Sequence, residues 1–334
     1  RVRSHSATND GWSPIFTKIL FLNFNFGCTD STSCNYDALA NLDDGSCIEL
    51  DPVSLPFVEV FDGVSGSGTM DTDDYIYCSS NYLWSYETSN QSVGTVHWGS
   101  DATALVSTEA LLMSCNITGA SPDVINYATL TLDLSNYTTD EILYLSFDYY
   151  DNQEEGDPND RVWVRSSSFD EWVEIFDLTT ADDNVWTESG KIDISTFLSD
   201  ANPSQNFTSS FQIRFGQEDN WPWAGGDGLA FDNITIEEAV FGCTDPTSCN
   251  YNSLADLDDG DNCIYADGIC ETCSGEQDGT GAIIDNDTDD DGVCNVDEVS
   301  GCQDNTACNY DALATDDGDN CIYVDGICET CEEG

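Results

Sequence analysis

The sequence predicts an all-β chain, with a two-sheet sandwich in the middle flanked by small, irregular, disulfide-rich repeats. Three observations lead there. Six segments between residues 51 and 239 alternate apolar and polar side chains between Gly, Asp, Asn and Pro; a Cys-rich unit recurs three times outside that region; and most of the 16 cysteines sit in those polar units. Half-buried strands have a period of two, and units too small to bury a core are held by covalent bridges.

Residues 1–26 form an N-terminal extension. They carry Arg1, Arg3 and Lys18 against one acid, Asp10, followed by the apolar run Ile19-Leu20-Phe21-Leu22. Such a lead reads as a signal remnant. It also reads as an assembly strand, because the aromatic residues of Phe21-Leu22-Asn23-Phe24-Asn25-Phe26 alternate. That strand can pack on its own sandwich or complete a sheet in another copy of the chain by strand addition.

Residues 27–50 are the first repeat, GCTDSTSCNYDALANLDDGSC from Gly27. Residues 51–239 hold seven of the eight tryptophans and the candidate strands 129–134, 143–150, 161–166, 172–177, 211–216 and 228–237. In LYLSFDYY, the side chains of Leu143, Leu145, Phe147 and Tyr149 fall on one face, and regularly spaced strands without a helical period favour a sandwich. Residues 240–300 are the second repeat, GCTDPTSCNYNSLADLDDGDNC from Gly242, and 301–334 the third, GCQDNTACNYDALATDDGDNC from Gly301. Both continue alike, through IYADGICETC and IYVDGICETC, but only the second runs on into an acidic loop. The chain stops where the next loop would begin, which leads us to expect further repeats or a removed C-terminal piece.

The cysteines partition as Cys28, Cys34 and Cys47 in the first repeat, Cys78 and Cys115 in the sandwich, Cys243, Cys249, Cys263, Cys270 and Cys273 in the second repeat with Cys294 in its loop, and Cys302, Cys308, Cys321, Cys328 and Cys331 in the third. If bridges stay local, Cys78 pairs with Cys115 and the second unit closes three pairs with Cys294. The first and third units each leave one cysteine over, so a bridge between units or subunits is expected, or for the third a Cys294-like partner further on. Disulfides of this density place the chain outside the cytoplasm, at a cell surface or in a matrix.

With 65 acidic residues against 7 basic ones, the formal charge is −58. That balance repels nucleic acid and anionic membranes, and no apolar run reaches the 18 residues of a membrane span. Aromatic residues at 11% argue against a disordered acidic tail, so the carboxylates call for hard divalent cations. Asp287-x-Asp289-x-Asp291-Gly292-x5-Glu298 has the spacing of a twelve-residue calcium loop. Its ligand oxygens come from Asp287, Asp289 and Asp291, the Val293 carbonyl, Asn295 at position 9 and Glu298 at position 12, with Asp285 just upstream. Calcium is therefore the expected cofactor. The Gly-rich GEQDGTGAIID before the loop and VSGC after it are unlike the helices of an EF-hand. The paired acids Asp43-Asp44, Asp258-Asp259 and Asp316-Asp317 read as turn formers, and Asp30, Asp245 and Asp304 as turn acids or further calcium ligands.

Only two histidines exist, His5 and His97, and no nucleophile elbow, zinc-protease or phosphate-loop motif occurs, so no enzymatic activity is expected. Cys270-x2-Cys273 and Cys328-x2-Cys331 lack the second ligand pair of a zinc site. One loop is a candidate ligand-binding element, in which Trp221 and Trp223 stack on a sugar and Asp227 orients it, the alternative being that both tryptophans pack in the core.

The segment DNDTDDDGVCNVDE resembles the calcium repeats of thrombospondin type 3, and the GCTD…CNY…DDG…C units are similar to Cys-rich repeats of large secreted proteins of marine bacteria, particularly Bacteroidetes. DRVWVRSSSFDEWVEIFDLT followed by IRFGQEDNWPWAGGDGLAFDNITI resembles MAM-like and cleaved-adhesin domains. That resemblance implies a jelly roll, extracellular adhesion or surface assembly, and a structural calcium between the loop after the first strand and the last strand. Carried to this chain, it nominates Asp62, Asp71, Asp73 and Asp232. The resulting expectation is a jelly-roll β-sandwich flanked by calcium-binding repeats, a subunit of an extracellular filament or matrix whose partners are other copies of itself. The alternative is a carbohydrate-binding adhesin module whose partners are glycans.

Overall fold

The computed structural model describes residues 24–30, 33, 35–37, 39–62, 65–68, 75–100, 102–115, 123–153, 156–179, 182–220, 222–223, 227–258, 263–326 and 330–331. The chain divides into two compact units, the first running to Glu238 and the second from Ala239 to Gly334. In the first repeat, β1 (Phe26–Gly27) and β2 (Leu42–Asp43) pair in parallel.

The sandwich follows. Its strands are β3 (Phe57–Glu59), β4 (Ser65–Gly68), β5 (Tyr75–Cys78), β6 (Tyr82–Thr88), β7 (Gly94–Gly99), β8 (Ala110–Cys115), β9 (Val124–Leu132) and β10 (Leu143–Asp151). They continue with β11 (Arg161–Arg165), β12 (Val173–Asp177), β13 (Trp186–Glu188), β14 (Ile192–Asp193), β15 (Phe211–Asp219) and β16 (Leu229–Glu238). The first sheet has the order β13-β10-β16-β8-β7-β4, with β14 beside β10 and β3 beside β16; the second has the order β12-β11-β15-β9-β6-β5. The pairings within both are antiparallel, and the fold is a jelly-roll β-sandwich.

Alternation explains most of these strands. Along β10, Leu143, Leu145, Phe147, Tyr149 and Asp151 are buried while the residues between them are only half-buried. The core forms where inward side chains of the two sheets meet: Phe215 of β15 lies 4.8 Å from Phe231 of β16 and 5.3 Å from Phe147 of β10, with Trp84 of β6 at 6.0 Å. Burial of such rings, beyond their edge-on contacts, is the main stabilising term.

Alternation fails in other elements. Strand β8 is buried along its whole length, because Leu111 and Met113 face the main core while Ala110 and Leu112 face a second cluster on the other side of the sheet with Ala102, Ala230, Tyr150, Trp186 and Trp223. Two short helices interrupt the strands, α1 (Thr103–Val106) and α2 (Ile194–Asp200). The second was not expected from the sequence. Its signal was Asp193, an N-cap whose side chain accepts from the Thr196 N–H at 3.0 Å.

Unit two contains β17 (Glu271–Cys273) antiparallel to β18 (Ile283–Asp285), and β19 (Ser300–Gly301) parallel to β20 (Asp316–Asp317). The repeats share one local fold. Cys28, Cys243 and Cys302 bridge in parallel to Tyr36, Tyr251 and Tyr310, and bond to Cys47, Cys263 and Cys321. Asn35, Asn250 and Asn309 each accept the N–H of the Ile that directly follows the second cysteine of the bridge, Ile48, Ile264 and Ile322, at 2.8, 2.9 and 2.7 Å. Among the described residues no helix is long and apolar enough to cross a membrane.

Candidate metal centre

The acidic loop starts where β18 ends. Asn286 donates from its side chain to the Cys270 carbonyl at 2.8 Å, and the Cys270–Cys294 disulfide ties the middle of the loop to the same strand region. Within the loop the Asp287 carboxylate accepts from Asp291 N–H at 3.3 Å and Gly292 N–H at 2.9 Å, and Asp291 accepts from Val293 N–H at 2.8 Å. These bonds wind the chain into a tight turn whose hinge, Gly292, has φ +90°, a conformation glycine adopts without steric cost. Carboxylate oxygens of Asp287, Asp289, Asp291 and Glu298 lie within 4.8 Å of one another.

Four negative groups so close oppose one another. Desolvation within the loop, then the Asp291 carboxylate, pushes Asp289 above the ordinary carboxylate range, and desolvation followed by Asp289 and Asp316 does the same to Glu298. A hard divalent cation bound by oxygens would relieve that repulsion, and the donor set is one calcium accepts. The other residues of the spacing are placed differently. Asn295 turns its side-chain oxygen to the Thr288 N–H at 3.0 Å, and Asp285 accepts from Asp287 N–H at 3.0 Å, so each serves the turn. The loop is flanked by β18 and by turns, with no EF-hand helix.

In the sandwich, Asp62 and Asp232 come near each other, joined by two acids that sequence reasoning passed over, Asp148 and Glu59. Burial pushes Asp232 up to about 6 against the Asn233 N–H that holds it down, and Asp148, Asp62 and Glu59 add to the rise. Glu59 is already engaged, accepting from Phe61 N–H at 2.7 Å. Asp71 and Asp73 lie outside the described residues.

Several expectations change. The Cys78–Cys115 bridge does not form: Cys115 sits inside the first sheet as a buried thiol whose N–H donates to Asp219 at 2.7 Å, whereas Cys78 lies on the edge strand of the second sheet. Cys78 is in a disulfide whose partner is outside the described residues, as are Cys34 and Cys328. Among the described residues the other bridges are Cys249–Cys273 and Cys308–Cys331. Asp245 and Asp304 are turn acids, each accepting from the Thr two residues on and from a tyrosine hydroxyl, Tyr265 or Tyr323, at 2.8 Å. The candidate sugar loop also changes. Trp223 is half-buried and packs on Tyr150 with ring centroids 6.0 Å apart, and Asp227 is 3% exposed, so the acid is withdrawn from the surface; Trp221 lies outside the described residues.

A different surface presents aromatic rings. On the outward face of the second sheet, Arg161, Trp163 and Arg165 of β11 alternate with the buried Val162 and Val164, and Arg214 of β15 and Tyr127 of β9 lie beside them. The Arg214 guanidinium is 4.5 Å from the Tyr127 ring and 4.3 Å from that of Trp172, which also stacks Arg165 at 4.0 Å. Trp163 meets Tyr127 edge-on at 5.9 Å and lies over Gly216, where a Cβ would come within 2.5 Å of its ring. The sequence signal for this face was two of the scarce basic residues and a tryptophan, Arg161, Trp163 and Arg165, at alternate positions of one strand.

No family model and no curated protein matches the chain. Among solved structures, the CBM22-1 xylan-binding domain from Paenibacillus barcinonensis Xyn10C shares 10% identity at a TM-score of 0.25, over 56% of this chain and 97% of that one. A family 11 carbohydrate-binding module of a cellulosomal cellulase of Clostridium thermocellum shares 16% at 0.27, over 53% and 97%, and the mannan-recognising module TmCBM27 shares 15% at 0.24, over 47% and 87%. Likeness this low leaves the ligands of those modules as properties of those modules.

Proposed function

We propose that this chain is a secreted, calcium-stiffened structural or adhesive protein, not an enzyme, that works as a subunit of an extracellular assembly. The observation that carries the reading is the convergence of Asp287, Asp289, Asp291 and Glu298 in a loop pinned by Cys270–Cys294. Calcium there neutralises carboxylates that otherwise repel, and it rigidifies a unit with almost no apolar core. The non-EF-hand flanks suit a static spacer rather than a sensor that opens. Calorimetric titration with calcium tests this: the wild type binds one ion in the loop, Asp289→Asn weakens that binding at least about tenfold by removing one ligand, and EDTA exposes residues 287–298 to protease. Proteolysis that EDTA leaves unchanged would overturn the reading.

A second reading, glycan binding by the sandwich, is favoured by the aromatic face of the second sheet. Aromatic rings supply apolar platforms for sugar C–H groups, and flanking side chains supply hydrogen bonds.

A further inference from the structure

Positive charge is scarce in this chain, with 7 Lys and Arg against 65 acidic residues. Four of the seven fall among the described residues, Arg161, Arg165, Lys191 and Arg214, and three of these share the outward face of the second sheet. Two have carboxylate partners: Arg161 bonds to Glu174 at 3.3 Å and Asp177 at 3.0 Å, and Arg214 to Glu87 at 3.2 Å. Arg165 differs. It donates from Nε to Gln212 at 2.7 Å and from one terminal nitrogen to the Ser168 carbonyl at 3.4 Å, and among the described residues no carboxylate lies within salt-bridge reach of it. Burial, then the neighbouring Arg214, pulls it down to about 10, while Glu87, Asp170 and Glu171 act in the opposite sense.

We propose that this face binds an acidic polysaccharide, with a uronate carboxylate taken by Arg165 and the sugar rings lying along Trp163 and Tyr127. The proposal rests on the glycan reading and names its ligand class. A guanidinium offers parallel donors that match a carboxylate, and stacking on Trp172 holds the fork in place before the ligand arrives. Beside Tyr127, Glu87, Thr88, Ser89 and Ile125 line an open depression of about 270 Å³ where β6 ends and β9 begins, room for the sugar chain to continue past the strand ends. Selection of a carboxylated sugar over a neutral one rests on the guanidinium fork held on Trp172, not on a positive field, since carboxylates stand on the same face.

The test uses the full chain and calorimetry with an oligogalacturonate and with the same oligosaccharide after its carboxyl groups are reduced to alcohols. The expected result is binding of the uronate about tenfold or more tighter than the neutral counterpart. Arg165→Gln lowers uronate affinity by about tenfold and leaves the neutral counterpart unaffected, and Trp163→Ala weakens both. Should Arg165→Gln disturb folding, Arg165→Lys keeps the charge without the fork and lowers uronate affinity by a smaller factor. Equal binding of the two oligosaccharides, lost in Trp163→Ala but not in Arg165→Gln, overturns the acidic ligand and leaves the glycan reading standing. Uronate binding lost in Asp289→Asn but unchanged in Arg165→Gln places the carboxylates on the calcium loop and overturns the proposal. No binding of either oligosaccharide by folded protein overturns both readings.

Discussion

The sandwich and the repeats solve the same entropy problem by opposite means. In the sandwich, Trp84, Phe147, Phe215 and Phe231 are at most 1% exposed, and apolar burial offsets the loss of chain freedom. In the repeats the equivalent leucines Leu39, Leu254 and Leu313 are 76%, 74% and 78% exposed, while Cys28, Cys243 and Cys302 are the buried groups. There the bridge is the core. A unit built this way has little apolar surface to bury, so it depends on covalent closure and, on our reading, on a cation.

The largest expected effect that separates the two is reduction under chelation. Unit two holds five described bridges, and loss of each native bridge in a small domain costs about 2–5 kcal/mol. Hydrogen exchange should show residues 239–334 losing protection while β9, β10, β15 and β16 keep theirs. Protection retained in reduced repeats would break the comparison.

Next in size is Phe231→Ala. It empties the centre of the sandwich and should destabilise it by about 3–5 kcal/mol in urea unfolding, leaving calcium titration of the 287–298 loop unchanged. A shift in calcium affinity would mean that the two units are energetically coupled.

The smallest effect is in pH, and its sign differs between regions. Burial pushes Asp160 of the sandwich up to about 7, against the N–H groups of Glu218 and Asp157 that hold it down. The folded state therefore binds the proton more tightly than the unfolded chain. This contribution is fully present below the ordinary carboxylate range and is lost as pH rises through about 4 to 7. In the repeats, the Thr247 and Thr306 N–H and hydroxyl groups hold Asp245 and Asp304 below their ordinary range, so their contribution is present above that range and lost as pH falls. Asp160→Asn should flatten the sandwich's melting profile between pH 4 and 7 by on the order of 2 kcal/mol. An unchanged profile would show that Asp160 is not the group responsible.

Strands such as β10 were legible because alternation reports directly which side chains face inward. The calcium spacing was legible for a similar reason, since a tight turn brings alternate residues to one point. Strand β8 was not, because it is buried on both faces and its sequence has no period. Trp223 looked like a sugar platform, yet it covers a small apolar cluster on the outer side of the first sheet, a surface no local pattern announces.

By itself, then, the sequence determined what depends on neighbours in the chain: strand periodicity, the repeated unit, the turn acids and the acidic loop. Only the tertiary structure decided what depends on which distant strands become neighbours. It put Cys78 and Cys115 in different sheets, sank Asp227 from view, and gathered Arg165, Trp163, Trp172, Arg214 and Tyr127 from four places in the chain onto one face. The physical reason is that a residue's own spacing encodes its local turn or strand face, whereas sheet order is set by the burial of the whole apolar set at once.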